Sequence, residues 1–130
     1  MLTYDLGVTQ SFTVMHNSTD WRIATHTYDG GVNGIEAFGA WGIHETSEEA
    51  FLLQEGEGWL VTSREGQQAE DYAIRKLSET EMCVVEQGER HAVILKPGSR
   101  VLVVENRDMS NSRTEPVLPE IRRAAAAATR

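Results

Sequence analysis

At 130 residues the chain is long enough for one domain with its own core and too short for two. Its net charge of −8, from 12 basic and 20 acidic residues, argues against nucleic acid as a partner, because phosphate backbones are gripped by lysine and arginine. No stretch approaches the roughly 20 apolar residues that cross a bilayer, and residues 1–5 lack the basic start and apolar run of a secretory leader. A cytoplasmic protein with no membrane partner is therefore expected.

In chain order, residues 21–28 have the β-branched and aromatic content of a strand, and Asp29-Gly30-Gly31 supplies the turn that ends it. His16, before this strand in Met15-His16-Asn17-Ser18, reads as part of an exposed turn. A second strand is predicted over residues 36–44. After a short acidic loop, residues 50–54 read as a largely buried strand closed by Glu55-Gly56-Glu57-Gly58, and residues 59–63 return. Beyond a polar hairpin, residues 72–77 suit a partly exposed strand, and residues 82–85 form a short apolar one in which Cys83 is a small buried side chain. Residues 91–95 and 100–105 flank Lys96-Pro97-Gly98-Ser99, where proline fixes one turn angle and glycine permits a positive one, a strong hairpin signal. Short strands at near-regular spacing describe a sandwich or barrel, so the fold class is all-β. After Pro119 the composition changes. Glu120-Ile121-Arg122-Arg123 and the alanines that follow predict a short helix, with too few apolar side chains for a core role, left to fray or to pack on a partner. The domain is expected to span residues 1–130, with its core over about 20–112 and a tail or short helix over 113–130.

Two segments carry the chemistry. Residues 44–56, which begin His44-Glu45-Thr46-Ser47-Glu48-Glu49, and residues 86–91, Glu86-Gln87-Gly88-Glu89-Arg90-His91, can bring two imidazoles and a carboxylate to one place, the ligand set of a divalent transition metal. Each residue also has a plainer reading: His44 as a hydrogen-bonding group at a barrel rim, Glu49 as a solvated acid in a run with Glu45 and Glu48, and His91 as a core histidine satisfied by the backbone. Arg90 can pair with a carboxylate ligand or sit at the surface among Glu86 and Glu89.

Together with the strand pattern, these segments resemble the cupin superfamily over roughly residues 35–111. His44 takes the second histidine position of the first cupin motif, Glu49 its glutamate, and Gly56 its closing glycine, with Phe51-Leu52-Leu53 in the aromatic-aliphatic place. Gly88 and His91 match the second motif, in which Glu86 replaces a proline. The resemblance implies a double-stranded β-helix, or jelly-roll barrel, and a metal site of His44, Glu49 and His91 for iron, manganese, nickel or zinc. Gly42 stands where the family has its first histidine. The other pocket candidates are His26, able to substitute for the missing imidazole, Tyr28 and Trp41; the last two line a pocket or fill the barrel. The expected function is a metal-binding cupin that acts on or binds a small organic molecule, of dioxygenase, isomerase or hydrolytic type if an enzyme. The alternative is a metal-free cupin that binds a small ligand such as a sugar, or serves as a sensor. A homodimer is expected, because edge strands of small barrels invite pairing.

Overall fold

A computed structural model describes all residues 1–130, and ten strands and one helix make up its named elements apart from two short 3-10 turns. The strands are β1 (Phe12–Asn17), β2 (Trp21–Thr27), β3 (Ala40–His44), β4 (Glu49–Glu55), β5 (Gly58–Ser63), β6 (Ala73–Lys76), β7 (Cys83–Val85), β8 (Arg90–Leu95), β9 (Arg100–Asn106) and β10 (Ser112–Pro116). The helix, α1, is Pro119–Ala128. Two antiparallel five-stranded sheets face each other, one in the order β1-β2-β9-β4-β7 and the other β10-β3-β8-β5-β6. Consecutive strands repeatedly cross between the sheets, which is the jelly-roll arrangement the sequence suggested.

Alternation along the strands divides the side chains between two cores. In β4, Glu49, Phe51 and Leu53 point inward, and in β9, Val101, Val103 and Glu105 do the same; register sets Glu49 opposite Glu105 and Phe51 opposite Val103. Phe51, Leu53, Leu60, Leu95, Val101 and Val103 are among the residues that fill the space between the sheets. The tight turn between β4 and β5 depends on Gly56, whose φ is +80° and where a Cβ would fall 2.2 Å from the Ser99 hydroxyl oxygen.

A second core lies outside the barrel. Phe38, Trp41, Val61, Ile94, Ile121 and Ala125 are buried there, between the outer face of the second sheet and α1. Ile121 and Ala125 lie four residues apart and so share one helix face. Both join a cluster with Val61, Ile94 and the rings of Trp41 and Phe38, which lie 5.3 Å apart in an edge-on contact. The expectation that this segment has no core role is thereby corrected.

Three boundaries differ from the sequence reading. The strand expected over residues 36–44 is confined to Ala40–His44, and Ile35–Ala37 forms a 3-10 turn that leads Phe38 under the helix. An additional strand, β1, precedes the expected start of the core, and His16 lies in it with its Nδ1 2.8 Å from the Tyr4 hydroxyl. Within residues 113–130, the stretch before the helix is a strand, since β10 pairs with β3 from Ser112↔His44 to Pro116↔Ala40. Arg90 helps to fix β10, with its Nε 2.6 Å from Glu115, and so pairs with neither Glu86 nor Glu89.

Candidate metal and ligand site

Between the sheets, beside the inner core, a cavity of about 510 Å³ opens to solvent. His44 enters it from the end of β3, Glu49 from the start of β4 and His91 from β8, so both sheets contribute. Glu49 and His91 are each only 6% exposed. One Glu49 oxygen, Oε2, lies 2.9 Å from His44 Nε2 and 3.0 Å from His91 Nε2. The three ligand atoms all fall within 4.8 Å of one another.

The hydrogen-bond network fixes which ring nitrogens carry hydrogens. Ser112 Oγ donates to the Met109 carbonyl at 2.7 Å, so toward His44 Nδ1, also at 2.7 Å, it acts as acceptor. His44 therefore carries its hydrogen on Nδ1. His91 Nδ1 donates to the Glu89 carbonyl at 3.2 Å. In the neutral rings both Nε2 lone pairs thus face Glu49, whose buried Oε2 has no hydrogen-bond partner. Three electron pairs converge on one point with no hydrogen among them, an arrangement that calls for a positive charge. It suits a divalent ion, with Ser112 and the Glu89 carbonyl orienting the two imidazoles from behind.

The protonation preferences answer the same field. Burial alone raises the Glu49 carboxyl, but when the two imidazoles take up a proton on Nε2 their hydrogen bonds and charge outweigh it and hold the group at about 2. Burial lowers His91, but Glu49 and Glu89 together raise it by more, so its net shift is upward.

Gly42 lies on the cavity wall beside His91, its β8 partner in register. A Cβ built there would sit 3.7 Å from His91 Nε2, an ordinary contact, so a side chain at this position would point into the ligand cluster. Trp41, one residue earlier, faces the opposite way, since neighbouring strand residues alternate; it is fully buried under α1 and lines no part of the cavity. Tyr28, just beyond the end of β2, packs on the inner core and is likewise absent from the cavity wall. His26 does line the cavity, but outside the ligand cluster. Its Nε2 is buried without a partner, and burial depresses its pKa against the pull of Glu49 and Asp29.

Two further residues stand in the cavity wall. Arg22 contacts Glu105 Oε2 through Nε at 2.7 Å and Nη2 at 2.5 Å, and Glu105, beside Glu49 across the β4–β9 pairing, is buried. Burial and the neighbouring Glu49 raise the Glu105 carboxyl, and Arg22 opposes them. Period-2 alternation could have revealed both residues: Arg22 shares a face with Ala24 and His26, and Glu105 shares one with Val101 and Val103. Of the acidic run, Glu45 turns outward to Arg113 at 2.8 Å and Glu48 is exposed, leaving Glu49 alone in the site.

This double sheet with its inward-facing cluster is the fold of a small cupin domain. A cupin-2 domain protein from Shewanella frigidimarina is similar with a TM-score of 0.54 and 21% identity, over 75% of this chain and 80% of that one. An RmlC-like cupin protein from Desulfovibrio desulfuricans gives 0.55 and 19%, over 82% and 96%. KdgF from Halomonas sp. gives 0.55 and 17%, over 76% and 81%. At these identities the likeness establishes the fold. No family model matches the sequence, and a comparison with curated proteins finds no match.

Proposed function

We propose that this protein binds a divalent transition metal, iron, manganese, nickel or zinc, through His44, Glu49 and His91, and uses it to bind or transform a small organic molecule in the barrel. The observation that carries this reading is the convergence of two imidazole lone pairs and a partnerless buried carboxylate oxygen on one point. Such an ion supplies a Lewis-acid centre with positions left open for water or ligand, since only three protein donors face it. The chain's own residues do the rest. Ser112 and the Glu89 carbonyl hold the rings in place, Phe51 walls the cluster, and the Arg22–Glu105 pair sets polar character on the β2–β9 side. Elemental analysis of freshly purified protein tests the proposal: about one equivalent of metal is expected in the wild type and a large loss in His44→Ala and His91→Ala. A metal-free wild type that gains no thermal stability from added iron, manganese, nickel or zinc overturns it.

A second reading, a metal-free cupin that binds a small ligand such as a sugar, is favoured by Gly42, which contributes no donor and widens the cavity beside His91. An ordered organic molecule in the barrel of metal-free protein would select it. We further propose that the protein acts as a cytoplasmic homodimer. Val84 and Val104, 49% and 38% exposed on the outer face of the first sheet, support self-association. Light scattering on the eluted peak tests it, with a monomer mass overturning it. No helix is long and apolar enough to cross a membrane.

A further inference from the structure

His26 is the one histidine in the cavity that is neither a member of the ligand cluster nor held by any hydrogen bond to the protein. Leaving a buried ring nitrogen unpaired is costly, and such groups are normally satisfied. Its ring is fixed edge-on against Phe12 at 5.5 Å, so it is held in place without a polar partner. Register places it away from the cluster. Arg22 pairs with Glu105, which pairs with Glu49, whereas His26 pairs with Val101, opposite Leu53. His26 is thus four residues along β2 from the row that contains Glu49, outside the ligand cluster though within the pull of the Glu49 charge. Phe51, Val93 and Phe12 line the wall as apolar surface. With a divalent ion in place, Glu49 cancels one of its charges and Arg22 and Glu105 balance each other, so the cluster end is left with one net positive charge.

We propose, resting on the metal site above, that His26 is the recognition residue for an elongated monocarboxylate: its carboxylate lies at the positive cluster end, its apolar body along the Phe12, Phe51 and Val93 wall, and a distal hydroxyl or carbonyl hydrogen-bonds to the His26 ring. The charge balance accounts for a single carboxylate, the apolar wall for the body, and the unpaired nitrogen for the distal polar group. Neutral imidazole can donate from one nitrogen or accept at the other, so hydroxyl and carbonyl both suit it.

The matched probes 3-(4-hydroxyphenyl)propionate and 3-phenylpropionate differ only in a distal hydroxyl, and their binding to metal-loaded protein is measured by calorimetry with metal content determined on the same samples. Wild type is expected to prefer the hydroxylated probe by roughly three- to tenfold, the effect of one hydrogen bond. In His26→Ala the preference falls to unity with metal content unchanged; in His26→Gln, which keeps a donor and an acceptor, part of the preference returns. His26→Gln is also the variant to read if His26→Ala does not fold. No preference in the wild type, including failure to bind either probe, or a preference unaltered by both substitutions, overturns the inference while the metal site stands. Loss of metal in a folded His26 variant overturns it in another way, by making His26 a ligand of the ion. Wild type without metal defeats both the metal site and this inference, because the positive end that holds the carboxylate is then missing.

Discussion

Gly42 and Ser112 are the residues at which the site's chemistry can be adjusted without disturbing the core. Position 42 has ordinary strand geometry, room for a Cβ, and a direction toward His91 Nε2. Gly42→His is therefore expected to tighten metal binding by about an order of magnitude or more, measured by competition with a chelator. An unchanged affinity would show that a side chain here does not reach the ion. Ser112 acts from behind, holding the hydrogen of His44 on Nδ1. Ser112→Ala should weaken metal binding by roughly 10- to 100-fold, as loss of an orienting partner does, with little change in the unfolding temperature of metal-free protein. His44, Glu49 and His91 were legible as candidates because motif spacing places them. Ser112 was not, because its role comes from the β10–β3 pairing, and nothing local to Asn111-Ser112-Arg113 announces a strand.

At the scale of elements, the strands with clear alternation or apolar runs were readable and those defined by their partners were not. β8 and β9 announce themselves by their valines and the Pro-Gly turn between them. By contrast, β10 consists of Ser112-Arg113-Thr114-Glu115-Pro116 and is a strand only because β3 offers it an edge. The helix was readable from its alanines, but not its destination: Ile121 and Ala125 have a core to join only once Trp41 and Phe38 face outward from the barrel. Ile121→Ala should cost about 2–5 kcal/mol, the usual range for such a core truncation, as judged by chemical denaturation. Metal content should stay the same, since the outer core is separated from the cavity by the second sheet. A substitution that leaves stability unchanged would mean that α1 is not docked.

Across the whole molecule, the Glu49 contacts with His44 and His91 join the two sheets, so the protonation of this cluster bears on global stability. In metal-free protein the lowered Glu49 carboxyl contributes stability that is present above its usual 4.5 and lost as pH falls toward about 2. The raised His91 contributes stability that is present below its usual 6.5 and lost as pH rises through its higher folded value. Chelator-treated protein should therefore gain most from this cluster between about 4.5 and 6.5. Metal binding competes with protons for the imidazoles, so the stabilisation by added metal should grow as pH rises from about 6 to 8. Denaturation curves across this range, with and without metal, check both signs. A metal effect that shrinks toward alkaline pH would contradict the assigned ligands.

The sequence by itself determined the all-β class and most of the strands, because these depend on periodicity and turn chemistry, while its resemblance to the cupin motifs picked out the three candidate ligands. Only the tertiary structure decided the rest. It set Arg22 and Glu105 together across 83 residues of chain, sent Trp41 to a second core while its neighbour Gly42 faced the cavity, and left His26 on the cavity wall outside the candidate ligand cluster. These outcomes depend on strand order and register, which form between segments distant in sequence and leave no mark within any one of them.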